Sequence, residues 1–82
     1  MRTRKQPLGE KNIVGARVEK RRKEINMKQV ELLRRMNDKG IDFNASGLSK
    51  LEGQIRCVND YELVALAEIL EVPVDWLLGL EK

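Results

Sequence analysis

The most constraining stretch of the chain is residues 59–70, which carry a helix start signal and then a helical repeat of apolar residues. The run Asn59-Asp-Tyr-Glu62 matches a capping box, in which the first side chain and the fourth each accept a hydrogen bond from the other residue's backbone N–H. Leucine or alanine then recurs at positions 63, 66, 67 and 70, the spacing of one helix face. This stretch therefore predicts an amphipathic helix that buries one side.

The first two helices of the chain are predicted from similar apolar stripes. The first is expected from Gly9 to Ile25. The second is expected to start from a cap at Asn26, where Gln29 would complete another capping box, and to run to about Asn37. The apolar stripe of the first helix is expected to contain Ile13, Val14, Val18 and Ile25. The second helix is expected to bury Val30, Leu33 and Met36, with Leu32 beside them.

A long connection follows the second helix. Gly40 is well placed to end the second helix or to turn the chain after it, because glycine adopts left-handed backbone angles without steric cost. Ile41 and Phe43 alternate around Asp42, which predicts an extended or irregular piece with both apolar side chains pointing inward. Asn44 then provides an N-cap for a third helix.

The third helix is expected to bury Leu48 and Leu51 and to end at Gly53. A short fifth helix is expected to start near Pro73 and to stop at Gly79. Ser46, Ser49 and Lys50 are expected to face away from the core. Five short helices with brief connections predict one all-α domain over residues 9–82, preceded by a basic arm of residues 1–8 that contains Arg2, Arg4 and Lys5.

The composition argues against several classes of protein. The 82 residues include no histidine and a single cysteine, Cys57, so neither an intramolecular disulfide nor a histidine or cysteine metal site is expected. No recognisable set of catalytic groups occurs, and we expect neither an enzyme nor a cofactor. No apolar run reaches the 18 residues that a membrane span needs. We therefore expect a cytoplasmic protein.

Charge is distributed unevenly along the chain. The balance of Lys and Arg against Asp and Glu is +7 for residues 1–28, +1 for residues 29–56 and −5 for residues 57–82. Such polarity suits a protein that places one end on a polyanion, although a solvated basic helix would have the same composition.

One order of residues extends over nearly the whole chain, from Leu8 to Leu80. Its members are Gly15, Arg17, Val18, Arg22, Gln29, Leu32, Leu33, the run Leu48–Glu52, Leu63, Leu66, Ala67, Leu70 and the run Val72–Gly79. This order resembles the lambda-repressor-like (Xre/Cro-type) helix-turn-helix family. The resemblance implies that the second and third helices form a helix-turn-helix and that the third lies in the DNA major groove.

The resemblance also implies roles for particular side chains. Contacts with the DNA backbone or bases are expected from Arg17, Lys28, Gln29, Asn44, Ala45, Ser46, Ser49, Lys50 and Arg56. Arg22 and Glu52 are expected to form a partly buried ion pair that joins the first helix to the end of the third. A dimer that binds a roughly palindromic operator is expected to form through Val74, Trp76, Leu77 and Leu80.

The chain departs from the family pattern in three places. Lys28 replaces the usual serine or threonine before Gln29, and the usual short turn is replaced by the longer run Asn-Asp-Lys-Gly-Ile-Asp at positions 37–42. Ala45, Ser46 and Gly47 are small and offer no bidentate donor to a base.

Two functions are compatible with this pattern. The first is a sequence-specific, DNA-binding transcriptional regulator of bacterial or phage origin, expected to be a repressor. The alternative is an antitoxin-like or other protein-interaction module on the same fold, with its partner at the C-terminal helix. That helix could also simply dock onto the first and fourth helices of its own chain.

Overall fold

Five α-helices make up the regular structure of residues 11–80, which are the residues that the computed structural model describes. The helices are α1 (Gly15–Glu24), α2 (Gln29–Asp38), α3 (Ala45–Glu52), α4 (Asp60–Leu70) and α5 (Val74–Leu77). No β-strand occurs in this range, so the prediction of an all-α chain with five helices is confirmed. The predicted arm of residues 1–8 and a helix start at Gly9 lie outside the described residues.

Each helix contributes to one hydrophobic core. α1 and α2 both pack against α3 and α4, and α5 packs against α4. The largest fully buried side chains are Val18, Leu32, Met36, Leu48, Leu51, Leu66, Leu70 and Leu77. These residues were expected in the core, except for Leu77 and for Leu32, which was expected only beside the buried stripe of α2. Within residues 11–80, no helix has the length and apolar character that a membrane crossing requires.

The packing of α1 on α3 depends on the missing side chain of Gly15. A Cβ atom on Gly15 would overlap the Leu51 carbonyl oxygen, far inside the 3.0 Å at which real Cβ contacts stop. Asn12 joins the same two elements, since its side chain accepts from the Gly15 N–H at 2.8 Å and donates to the carbonyl oxygens of Leu51 and Arg56 at 3.2 and 2.8 Å. This close approach fixes where α3 lies relative to α1.

The prediction that Asn26 caps α2 is wrong, because Asn26 ends α1. Its φ of 57° is left-handed, and the N–H of Met27 donates to the carbonyl of Arg22 at 2.9 Å. The N–H of Asn26 donates to Lys23, which completes the hydrogen-bond pattern of a Schellman motif. The N-cap of α2 is Lys28, which makes no side-chain capping bond.

Three other sequence expectations for this half of the chain are also wrong. Residues 11–14 are not helical, so α1 begins later than predicted. Ile13 is 64% exposed and Val30 is 69% exposed. Ile13 precedes the helix, and Val30 faces away from the core because Leu32 and Met36 define the buried side of α2.

The long connection between α2 and α3 is held by local hydrogen bonds. Gly40 has a φ of 86°, and the Ile41 N–H donates to the Met36 carbonyl at 3.0 Å, so Gly40 ends α2 as predicted. The side chain of Asn37 donates to the Phe43 carbonyl at 3.5 Å and accepts from the Phe43 N–H at 3.4 Å. Ile41 and Phe43 are both buried, which confirms that they anchor this connection in the core.

Both remaining N-cap predictions are confirmed. Asn44 accepts from the Gly47 N–H at 2.7 Å at the start of α3. Asn59 and Glu62 form the predicted capping box at the start of α4, where the Asn59 N–H donates to Glu62 at 2.9 Å. Gly53 ends α3 as predicted.

Candidate nucleic-acid interface

A buried polar network joins α1, α2 and α3. Arg22 donates from Nε and Nη2 to the two carboxylate oxygens of Glu52, at 2.8 and 3.1 Å. Its third nitrogen, Nη1, donates to the Met27 carbonyl at 2.9 Å. Arg22 is 7% exposed and Glu52 is 2% exposed, so the bidentate geometry offsets the cost of removing two charges from water.

Gln29 extends this network to the start of α2. Its side-chain Nε2 donates to Glu52 at 2.9 Å, which places the first turn of α2 beside the last turn of α3. Lys28 is exposed at the N-cap and makes no side-chain capping bond there. The first N–H groups of a helix have no acceptor within the helix itself. The α2 N-terminus can therefore donate to an external anion.

The outer face of α3, here called the α3 face, consists of Asn44, Ala45, Ser46, Ser49 and Lys50, which are all exposed. It has no carboxylate and no large apolar side chain. Leu48, Leu51 and Glu52 lie on the opposite, buried side of the same helix. The sequence prediction of which α3 side chains point outward therefore agrees with the structure.

Cations on the outer surface of α2 are neutralised within that helix. Arg34 and Arg35 both donate to Glu31 at 2.7 Å, and Arg34 also contacts Asp38 at 2.9 Å. These two hydrogen bonds, first from Arg34 and then from Arg35, lower the pKa of Glu31 from 4.5 to about 2. Lys28 and Lys50, in contrast, make no ion pair within residues 11–80, so their charge is available to a ligand.

The structure places Arg17 against α5. Its Nη1 donates to the Trp76 carbonyl at 2.9 Å, and its guanidinium carbon lies 4.9 Å from the centre of the Trp76 ring. Arg21 similarly donates to the Leu70 carbonyl at 2.8 Å, at the end of α4. Both arginines thus bind the negative ends of helices, where a cation is favourable.

Arg56 is likewise engaged inside the molecule. Its guanidinium lies 4.8 Å from the Phe43 ring, and Nη2 contacts the buried carboxylate of Glu62 at 3.3 Å. Its Nη1 is buried without a hydrogen-bond partner. Arg56 therefore connects the α2–α3 connection to α4. This role was not predicted from the sequence, because the burial of Glu62 and the position of Phe43 both depend on tertiary packing.

The C-terminal residues expected at a dimer interface do not share one environment. Leu77 is fully buried and belongs to the core, so its assignment to a dimer surface is corrected. Val74 and Trp76 are half-buried, and Leu80 is 66% exposed. Only these last three retain surface that a second copy could cover.

An apolar groove lies between the segment before α1, the α3–α4 loop and the C-terminal region. Its apolar walls are formed by Ile13, Val14, Cys57, Val58, Leu63 and Leu78. Within residues 11–80, no three His, Cys, Asp or Glu side chains are grouped so as to hold a metal ion.

Comparison of the chain with protein-family models, curated proteins and solved structures finds no match. The likeness to helix-turn-helix proteins therefore rests on the order of residues alone.

Proposed function

We propose that this protein is a DNA-binding transcriptional regulator that inserts α3 into the major groove. The main support for this function is the composition of the α3 face, which has small or hydrogen-bonding side chains and one lysine. On the opposite, buried side of α3, the ion pair between Arg22 and Glu52 holds the helix in place. An exposed helix face that packs on a protein partner would be expected to carry apolar anchors. Small side chains instead allow the helix to approach base edges closely.

The positive charge and the N–H groups at the start of α2 are consistent with insertion of α3 into the groove, because they could bind DNA phosphates. Lys28 and the N-terminus of α2 present a positive charge and helix N–H groups beside the end of α3. The Gln29 amide is held in place by Glu52 and keeps a second N–H for a phosphate oxygen. Phosphate contacts of this kind set the position of the helix on the duplex.

Base readout in this arrangement is modest. Lys50 can donate to guanine O6 and N7, while Ser46 and Ser49 can contact bases directly or through water. Ala45 can contact a thymine methyl group. DNA shape and deformability supply the remaining selectivity.

One copy offers only a small set of groups for contact with DNA, so we infer that a homodimer binds a roughly palindromic operator. Val74, Trp76 and Leu80 supply the exposed apolar contacts near α5. Two-fold symmetry would double the phosphate contacts and place two α3 helices about one DNA turn apart. Steric occupation of promoter DNA would then repress transcription.

The test is binding to a random double-stranded DNA pool and to DNA upstream of its own gene, by fluorescence anisotropy at several salt concentrations. We expect Lys50→Ala and Gln29→Ala to weaken binding by roughly tenfold. Lys39→Ala is the matched control, because Lys39 is engaged with Glu68 at 2.9 Å near the other end of α2. A slope of log K against log salt near zero would exclude DNA binding.

A protein-interaction module is the second candidate, and the apolar groove favours it. The groove and the exposed Leu80 offer an apolar surface to a partner helix. The two candidates predict opposite sensitivities. Ile13→Asp would abolish association with a partner protein and leave the DNA affinity of a monomer unchanged. Lys50→Ala would weaken DNA binding and leave the association with a partner protein unchanged.

A further inference from the structure

The connection between α2 and α3 holds one carboxylate in a fixed outward position. Ile41 and Phe43 are 9% and 7% exposed, while Asp42 between them is exposed. Side chains of an extended chain point alternately to opposite sides. The two buried neighbours therefore act as anchors that direct Asp42 toward solvent. The Asn37 bonds to the Phe43 backbone hold this register.

Asp42 lies at the end of α3 that would enter the groove. Asn44 has extended backbone angles, with φ of −120° and ψ of 172°, and its side chain caps the first turn of α3. Asp42 is two residues earlier, so it shares the outward side with Asn44, and the two Cα atoms are within roughly 7 Å of each other.

The carboxylate of Asp42 is also uncommitted. Other acids near α2 are engaged, since Glu31 accepts hydrogen bonds from Arg34 and Arg35, and Asp38 accepts one from Arg34. Asp42, by contrast, makes no hydrogen bond or ion pair with any other residue of the described range. Its charge thus faces whatever molecule approaches the start of α3.

We propose that Asp42 is a specificity-determining residue, which accepts a hydrogen bond from the exocyclic amino group of a base, cytosine N4 in the first place. This inference rests on the proposed DNA-binding function. A carboxylate repels phosphates and cannot donate to the guanine or thymine acceptors. In the major groove, cytosine N4 and adenine N6 are the only donors, and carboxylates pair with cytosine N4.

Asp42 would supply the selectivity that the small residues of the α3 face lack. Positions that place guanine or thymine beside Asp42 would be rejected, because these two bases present only acceptors to the carboxylate. The longer connection would act as a reading element in its own right, beside α3.

The experiment selects sequences from a random double-stranded DNA pool with wild type, Asp42→Asn and the matched control Asp60→Asn. Both variants remove one negative charge from an exposed residue. We expect wild type to favour cytosine at one position of each half-site, by roughly tenfold. In Asp42→Asn this preference should disappear or move to adenine, since an amide pairs with adenine N6 and N7. In Asp60→Asn it should persist.

Several results would overturn the proposal. An equal gain in affinity for all sequences in both variants would mean that only net charge matters. Selective binding that Asp42→Asn leaves unchanged would exclude a role for Asp42 while leaving the proposed function standing. Absence of any DNA binding by wild type would remove the proposed function and the role of Asp42 together. Thermal melts of both variants should match wild type, which separates readout from folding.

Discussion

The Arg22–Glu52 pair makes a sharp prediction about stability. The substitution Glu52→Gln keeps the size and one carbonyl oxygen of the side chain but removes its charge. Arg22 would then hold a positive charge at 7% exposure without a counterion. The new amide nitrogen would also face the guanidinium of Arg22 or the amide of Gln29, which already donate to Glu52 at 2.8 and 2.9 Å. Hydrogen-bond donors would therefore face one another with no acceptor between them.

The size of the effect follows from these contacts. Removing one partner of a buried ion pair costs about 3–5 kcal/mol, and the retained Gln oxygen can still accept one bond, so we expect about 3 kcal/mol. A domain of this length has a total stability of roughly 4–12 kcal/mol. Each kcal/mol moves Tm by about 4–8 °C, which gives a decrease in Tm of roughly 12–24 °C.

Urea unfolding followed by circular dichroism measures this change. Glu68→Gln is the matched control, because Glu68 pairs with Lys39 at the surface and its loss should cost less than about 1 kcal/mol. The double variant Arg22→Met/Glu52→Leu should recover much of the lost stability, because no charge remains buried. A Glu52→Gln protein within about 1 kcal/mol of wild type would contradict this prediction, and so would a double variant no more stable than Glu52→Gln.

Three further predictions concern other parts of the fold. Gly15→Ala should destabilise the protein by about 2 kcal/mol in thermal melts, because its Cβ would overlap the Leu51 carbonyl oxygen. Gly53→Ala should cost distinctly less, because its Cβ would lie 3.3 Å from the Ser49 carbonyl oxygen; equal Tm values for the two would contradict this. Because the pKa of Glu31 is about 2 in the folded state, its stabilising contribution is present above pH 4.5 and is lost as pH falls toward 2. Glu31→Gln should therefore flatten the dependence of stability on pH in that window, and an unchanged slope of urea midpoints would argue against the pairing. Arg17→Ala should expose Trp76 and shift its fluorescence to longer wavelength; unaltered emission would show that the ring contact contributes nothing.

Helices whose signals are local were predictable from the sequence. α4 combines a capping box with an apolar face, and both depend on residues three or four positions apart. The cap of α3 at Asn44 and the anchoring of Ile41 and Phe43 were predictable for the same reason. These features need no information about distant parts of the chain.

Asn26 shows why other features were not predictable. Asparagine is common both at helix N-caps and in left-handed positions after a helix, so its identity supports two opposite interpretations. The choice depends on where α1 ends, which tertiary packing decides. Val30 similarly fits a helical stripe, but its exposure depends on which side of α2 meets α4.

For the candidate interface, the exposed residues of α3 were predictable and the engagements of Arg17 and Arg56 were not. Arg17 contacts Trp76 and Arg56 contacts Phe43 and Glu62, and the contact of Arg17 spans 59 positions of the chain. A charged residue in a basic stretch of sequence has no local feature that separates a phosphate contact from an internal one.

Several arginines in the basic first third of the chain are bonded within the molecule, so fewer cations are available to bind DNA phosphates than the sequence suggests. Arg17, Arg21 and Arg22 bind carbonyl oxygens or Glu52, so much of the +7 balance of residues 1–28 is committed within the molecule. The cations that remain beside the α3 face are few, Lys28 and Lys50 foremost. If these two lysines neutralise two phosphates per copy, a dimer bound to DNA should show a slope of log K against log salt of about −4. A distinctly steeper slope would mean that further cations also bind phosphate, either the exposed Lys11 and Lys20 or those outside residues 11–80.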